Sequence, residues 1–101
     1  PYAGPATFAR IDAHPISILP LGEGWLVAAH GEAFIAGPGF TATNRFLVLD
    51  ASGKVVRTIA APEARFLNGM AMLGDGRVLA ADSILGRIWE LDVPSGALVP
   101  W

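Results

Sequence analysis

One unit occurs twice in this sequence, and the repeat constrains the fold more than any other feature does. Residues 45–53 (RFLVLDASG) return as residues 87–96 (RIWELDVPSG), and Asp50 and Asp92 lie 42 positions apart. Upstream, residues 21–29 (LGEGWLVAA) return as residues 73–81 (LGDGRVLAA) at an offset of 52. The two offsets differ by ten, so the first unit has ten extra residues between its two repeated segments.

The spacing of glycine and proline predicts strands rather than helices. Twelve glycines and eight prolines divide the chain into apolar runs of strand length, and no run keeps a 3.6-residue period. Pro62 makes residues 60–66 a connection rather than a helix. We therefore predict an all-β chain with four strands per unit. The predicted strands are 16–21, 25–30, 45–50 and 54–59 in the first unit, and 68–73, 77–82, 86–92 and 97–101 in the second.

A four-stranded unit that recurs about every 40–45 residues has the period of a β-propeller blade. We assign a first blade to residues 14–60, with an inserted loop at 30–44, and a second blade to residues 61–101. Residues 1–13 form an N-terminal segment, interpreted as the tail of a preceding blade.

Two blades do not close a propeller, because each blade buries its faces against neighbouring blades. The missing blades would come from further chain or from oligomerisation, and three copies of two blades would make a six-bladed ring. A small β-sandwich built from the duplicated unit is the alternative architecture.

Composition argues against several classes of partner and site. The net charge is −2 and the seven Lys and Arg residues are scattered, so we expect no nucleic-acid partner. No apolar run approaches the roughly 20 residues of a membrane span, so we expect no membrane partner. Without cysteine there is no disulfide, thiolate metal site or cysteine nucleophile, and the compartment stays open. Phosphate-loop, HExxH and GxSxG motifs do not occur.

The second unit also resembles a known family. Residues 66–71 (FLNGMA), 74–83 (GDGRVLAADS) and 85–92 (LGRIWELD), followed by Ser95 and Gly96, resemble a blade of the regucalcin and gluconolactonase family of six-bladed propellers. This family includes the senescence marker protein type, and the chain is most similar to its fungal and bacterial relatives. The resemblance covers about residues 15–101 and is strongest over 66–96. Strictosidine synthase-like propellers share much of the same blade pattern.

The resemblance implies a metal-dependent hydrolase of lactones or other small-molecule esters. A divalent metal, calcium or zinc, would lie in the central channel and polarise the lactone carbonyl or activate water. Asn68 is the metal ligand that the resemblance implies, and an amide oxygen is an acceptable hard ligand. Calcium takes about six to eight oxygens, so other blades would supply the rest. The alternative interpretation is that Asn68 is a turn residue before Gly69.

Four further residues are candidates for substrate binding: His30, Glu32, Asn44 and Asp82. His30 and Glu32 lie where the inserted loop begins, and Asn44 lies where it ends. His30 beside Glu32 suits a general base or a metal ligand at a rim, and the alternative is that they are solvated loop residues. Asp82 either faces the channel mouth or caps a tight turn. A non-catalytic propeller module used for binding or assembly is the competing function. Trp25, Trp89 and Trp101 are predicted to be packing residues.

Overall fold

The computed structural model describes residues 4–31 and 43–101, and these residues form an all-β structure. Its eight strands are β1 His14–Leu21, β2 Gly24–His30, β3 Asn44–Leu49, β4 Val55–Ala60, β5 Leu67–Met72, β6 Val78–Asp82, β7 Arg87–Asp92 and β8 Ala97–Pro100. Within the described ranges the chain has no helix long and apolar enough to cross a membrane.

The strands form two antiparallel four-stranded sheets. The first has the order β1-β2-β3-β4 and the second the order β5-β6-β7-β8, so each strand pairs with the next one along the chain. The predicted all-β class and the two groups of four strands are confirmed, and every predicted strand boundary falls within two residues of the observed one.

The hairpin turns form where the sequence places a polar residue and a glycine. Gly53, Gly76 and Gly96 have φ angles of +89°, +86° and +76°, a region that favours glycine. In the turn between β3 and β4, Asp50 Oδ1 accepts hydrogen bonds from the backbone of Ser52 at 2.9 Å and of Lys54 at 3.0 Å. These local bonds fix the strand connections.

One apolar core joins the two sheets. It contains the inward side chains of both sheets and two alanines of the connection 61–66, and β5 contacts β1 and β2 of the first sheet. The buried members of this core are Leu19, Leu26, Ala28, Phe46, Ile59, Ala61, Ala64, Leu67, Val78, Ala80, Trp89 and Leu91. The prediction that Trp89 is a packing residue is confirmed, since only 3% of it is exposed.

A second apolar cluster lies on the outer face of the first sheet. Its buried members are Val27, Ala29, Leu47 and Leu49. The N-terminal segment covers part of this face, since Ala9, Ile11 and Ala13 pack against the cluster and Phe8 meets Trp25 edge-on with ring centroids 5.9 Å apart. The first sheet is therefore apolar on both faces.

The outer face of the second sheet has no such cover among the described residues. Ile88 and Val99 are 39% and 48% exposed there, and Trp101, which follows Val99 by two residues, is 67% exposed. The prediction that Trp101 is a packing residue is wrong among the described residues, because Trp101 follows the last strand on the uncovered face.

Candidate functional site

The candidate residues lie at one end of the two sheets. There β2 and β4 end and β3 and β5 begin, and His30 pairs with Asn44 across β2 and β3 while Leu67 pairs with Asp82 across β5 and β6. The connection 61–66 crosses the same end, because it runs from β4 to β5. The sheet register thus brings together residues that are distant in sequence.

His30 and Asn44 hold the backbone of Leu67 from the first sheet, and we call this pair the clamp. His30 Nε2 donates to the Leu67 carbonyl at 2.9 Å, and Asn44 Oδ1 accepts from the Leu67 N–H at 2.8 Å. Asn44 Nδ2 also donates to the Ala64 carbonyl at 3.1 Å. Both clamp residues are buried, with 1% and 4% of their surface exposed. His30 Nε2 and both side-chain polar atoms of Asn44 therefore bind the chain itself rather than solvent.

Asp82 holds the same connection from the second sheet. Its carboxylate accepts five hydrogen bonds, of which four come from backbone N–H groups and one from an indole: Arg65 at 2.8 Å, Phe66 at 3.2 Å, Ile84 at 3.2 Å, Leu85 at 3.0 Å and Trp89 Nε1 at 3.1 Å. Its interpretation as the cap of a tight turn is confirmed by the bonds from Ile84 and Leu85.

The pKa of Asp82 reflects two opposing effects. Burial of the carboxylate is the largest single one and raises its pKa, but the backbone donors Leu85 and Arg65, with the Trp89 indole, together outweigh burial. The net result is a pKa below the ordinary value of 3.8, because hydrogen bonds to the charged form favour it.

Asn68 follows directly on this anchored stretch. The register of β5 against β6 shifts between Leu67 and Met70, so Asn68 and Gly69 lie in a bulge of the strand. The side chain is exposed, and its Nδ2 donates to Ser83 Oγ at 3.0 Å. No hydrogen bond to its Oδ1 occurs among the described residues, so this oxygen is accessible to a ligand.

The first sheet has a bulge at the equivalent place. The register of β1 against β2 shifts between Pro15 and Ser17, and Ile16 is the extra residue. Ile16 is the counterpart of Asn68 at the offset of 52 residues. Both sheets thus have a β-bulge at this position, but only the bulge of the second sheet carries a polar side chain.

The second ring nitrogen of His30 is buried without a partner. Nε2 carries a proton, because it donates to a carbonyl oxygen. Nδ1 has no hydrogen-bond partner in the described part of the chain, and the ring packs edge-on against Phe66 with centroids 4.5 Å apart. His30 is buried rather than solvated, while Glu32 lies outside the described residues.

The structure separates the predicted site residues by role. Three of them, His30, Asn44 and Asp82, converge on residues 64–67, and Asn68 is the exposed one. One feature of the sequence indicates the clamp residue His30. His30 ends the apolar run 26–29, so a polar residue there implies a specific buried partner.

The described residues contain no group of three or more His, Asp or Glu side chains that could hold a metal ion. Asn68 offers one amide oxygen, which is a chemically acceptable ligand for a hard cation. No protein-family model matches the chain, and neither does any curated protein.

Proposed function

We propose that the chain forms two neighbouring blades of a six-bladed propeller that acts as a metal-dependent hydrolase of lactones or esters. In this proposal Asn68 Oδ1 is one ligand of a divalent metal, calcium or zinc, in the central channel. The anchored backbone just before Asn68 is the observation that carries the proposal.

The order in which the sheets stack supports blades over a sandwich. Aligning Asp50 with Asp92 makes Leu47 and Leu49 the counterparts of Trp89 and Leu91. Leu47 and Leu49 point away from the second sheet, whereas Trp89 and Leu91 point towards the first. Strand register gives the same result for β2 and β6, which match one residue away from the sequence repeat. Leu26 pairs with Leu19 and Val48 on the face towards the second sheet, whereas its register counterpart Leu79 pairs with Ala71 and Glu90 on the face away from the first. The front of one sheet therefore packs on the back of the next. A sandwich of two copies related by a twofold axis would bury the same face of both.

The two apolar faces of the first sheet support the same arrangement. Along β2, Leu26 and Ala28 face the second sheet, and Val27 and Ala29 face the opposite way. A sheet placed between two neighbours needs apolar side chains on both faces, as a propeller blade does.

The proposed role of Asn68 as a metal ligand is supported by the hydrogen bonds that fix its position. The clamp fixes both polar backbone groups of Leu67, Asp82 fixes the N–H groups of Arg65 and Phe66, and Ser83 accepts from the amide of Asn68 itself. Binding groups work best when packing and hydrogen bonds fix them before the ligand arrives. A bulge is a common means of redirecting a side chain beside an active site.

The proposal gives each candidate residue a defined task. A bound metal would polarise the ester or lactone carbonyl towards attack by water. Asn68 would bind through its amide oxygen. His30, Asn44 and Asp82 are positioning residues, because they are buried and their hydrogen bonds go to residues 64–67 and to the turn after β6.

A non-catalytic propeller module, including one of the strictosidine synthase-like type, is the second candidate function. The uncovered apolar face of the second sheet favours it, because exposed apolar surface of this kind is typical of interaction sites. Binding or assembly would then be the role of the chain.

Calcium and zinc titrations of the purified chain test the metal proposal. We expect each effective metal to raise the melting temperature, Asn68→Ala to abolish the rise, and Asn68→Asp to retain it because a carboxylate supplies the same oxygen. Thr58→Ala, an exposed change on β4, should leave the rise intact.

The outcome separates the two functions. A metal-dependent rise together with hydrolysis of a simple lactone or aryl ester supports the hydrolase. A melting temperature that neither metal changes, in the wild type or in Asn68→Asp, contradicts the metal site and leaves the binding module as the function.

A further inference from the structure

We propose that the uncovered face of the second sheet binds a second copy of this chain, which receives it on the outer face of its own first sheet. This inference deepens the proposed propeller by naming which surfaces close it, and it rests on that arrangement of sheets but not on the hydrolytic activity.

The surface that would dock is defined by strand alternation and register. Ala71 pairs with Leu79, and Ala81 pairs with Ile88, so these four side chains share one face of the second sheet, and Val99 lies beside them on β8. We call this set the docking face. Glu90, which pairs with Leu79 and Val99 on the same face, forms a salt bridge with Arg77 at 2.8 Å, so its charge is compensated.

The surface that would receive it is a groove on the first sheet. A cavity of about 390 Å³ lies between the N-terminal segment and β1. We call it the receiving groove, and its apolar lining includes Phe8, Ile11, Ile16, Ile18, Val27 and Leu49. Ile16 and Ile18 are 37% and 55% exposed, so apolar surface is open there.

The register identifies what would fill the groove. Ile18 pairs with Val27 in the first sheet as Met70 pairs with Ala80 in the second. Met70 and Ala80 lie in the core that the first sheet covers. The groove side chains are therefore counterparts of side chains that a neighbouring sheet buries within this chain, and the matching surface is the front of another such sheet.

The N-terminal segment supports this identification. It leads into β1 as the connection 61–66 leads into β5. Ile11 stands three residues before β1 and Ala64 three residues before β5, and each packs on the sheet it precedes. Arg45 of the first sheet donates to the carbonyl of Asp12 at 3.2 Å, and Asp82 of the second sheet accepts from the N–H groups of Arg65 and Phe66, so each sheet is hydrogen-bonded to the segment that leads into it. The segment thus occupies the place of a connection from a preceding sheet.

A second copy offers the required surface. Its docking face is the counterpart of the first sheet's inner face, which already packs on the second sheet within one chain. Because the docking face and the receiving groove are different surfaces, the contact is heterologous, and it repeats from copy to copy until the ring closes. Propellers have four to eight blades, so two to four copies close a ring, and six blades require three.

Sedimentation velocity and native mass spectrometry without added metal or substrate test this inference. We expect a closed species of three times the 10.6 kDa of one chain. Val99→Asp on the docking face and Ile18→Asp in the receiving groove should each convert it to monomer, because either change puts a charge into the interface. Val56→Asp, on an exposed position of β4, is the matched control and should leave the assembly intact.

Mixing the two disrupted variants is the decisive step. One keeps an intact groove and the other an intact docking face, so we expect a heterodimer of twice the chain mass and no larger ring. Circular dichroism of each variant confirms that it is folded, and Ile18→Ser replaces Ile18→Asp if it is not.

A wild-type chain that stays monomeric at every soluble concentration overturns the inference. So does a mixture that forms no heterodimer, since that indicates a symmetric contact. A monomer that binds calcium through Asn68 would overturn the assembly alone, whereas a trimer that ignores both metals would overturn the metal site alone.

Discussion

Asp82 shows how one buried carboxylate can organise several backbone segments. It accepts from the connection before β5, from the turn after β6 and from the indole of Trp89 on β7. An Asn side chain has one acceptor oxygen and would turn an amide N–H₂ towards these donors. Hydrogen bonds to charged groups are worth about 1.5–3 kcal/mol each. We therefore expect Asp82→Asn to lower the free energy of unfolding at pH 7 by about 2–4 kcal/mol.

The same carboxylate makes stability depend on pH in one direction. Because the folded-state pKa of Asp82 lies below its ordinary value of 3.8, its contribution is complete above that value and is lost as pH falls through the lower, folded-state pKa. Urea unfolding from pH 7 down to pH 2 should show the gap between wild type and Asp82→Asn narrowing below about pH 4.

Asp75 provides the control for this prediction. Hydrogen bonds from Arg77 also lower its pKa, but its side chain is exposed. Solvent screens such a pair, so Asp75→Asn should change stability much less than Asp82→Asn. An equal loss for both variants would show that the buried position of Asp82 does not strengthen its hydrogen bonds. A gap that stays constant to pH 2 would show that ionisation of Asp82 is not the source of the loss.

At the scale of strands, the close approach of β2 and β3 depends on one glycine. A Cβ at Gly24 would overlap the carbonyl oxygen of Leu49 on the neighbouring strand, and this oxygen belongs to backbone that cannot turn aside. We expect Gly24→Ala to separate the strand ends and to cost about 1–3 kcal/mol, as overpacking does. Chemical denaturation measures the loss.

Gly74 is the control, since it lies in the turn between β5 and β6 and a Cβ there meets nothing within 4 Å, whereas Gly24 begins β2. Gly74→Ala should stay within about 0.5 kcal/mol of wild type. A Gly24→Ala variant as stable as Gly74→Ala would show that the strands can separate without loss.

Strands were predictable from sequence because their signals are local. The glycine turns at Gly53 and Gly76 and the apolar runs between them lie within a few residues of the strands that they define. The hydrogen bond between His30 and Leu67 spans 37 positions and depends on how two sheets pack. The periodicity of apolar residues indicates strands but not which residues of two different sheets will meet. The sequence therefore predicts His30 and Asn44 as rim residues and not as a clamp.

At the scale of the whole molecule, the two sheets share one core rather than forming two. Phe46 from the first sheet and Trp89 and Leu91 from the second belong to the same buried cluster. The clamp adds polar bonds across the boundary between the sheets. Each sheet alone would expose its inner face, so we expect both to unfold in one cooperative transition.

Native-state hydrogen exchange on Asn44→Ala tests this cooperativity. The change leaves the buried N–H of Leu67 and carbonyl of Ala64 without their side-chain partner, at a cost of about 1–3 kcal/mol for each unsatisfied group. If the sheets unfold together, the slowest amides of β2 and β3 and those of β6 and β7 must lose the same protection free energy, although Asn44 belongs to the first sheet. A loss confined to the first sheet would mean that the sheets unfold independently and that the shared core does not couple them.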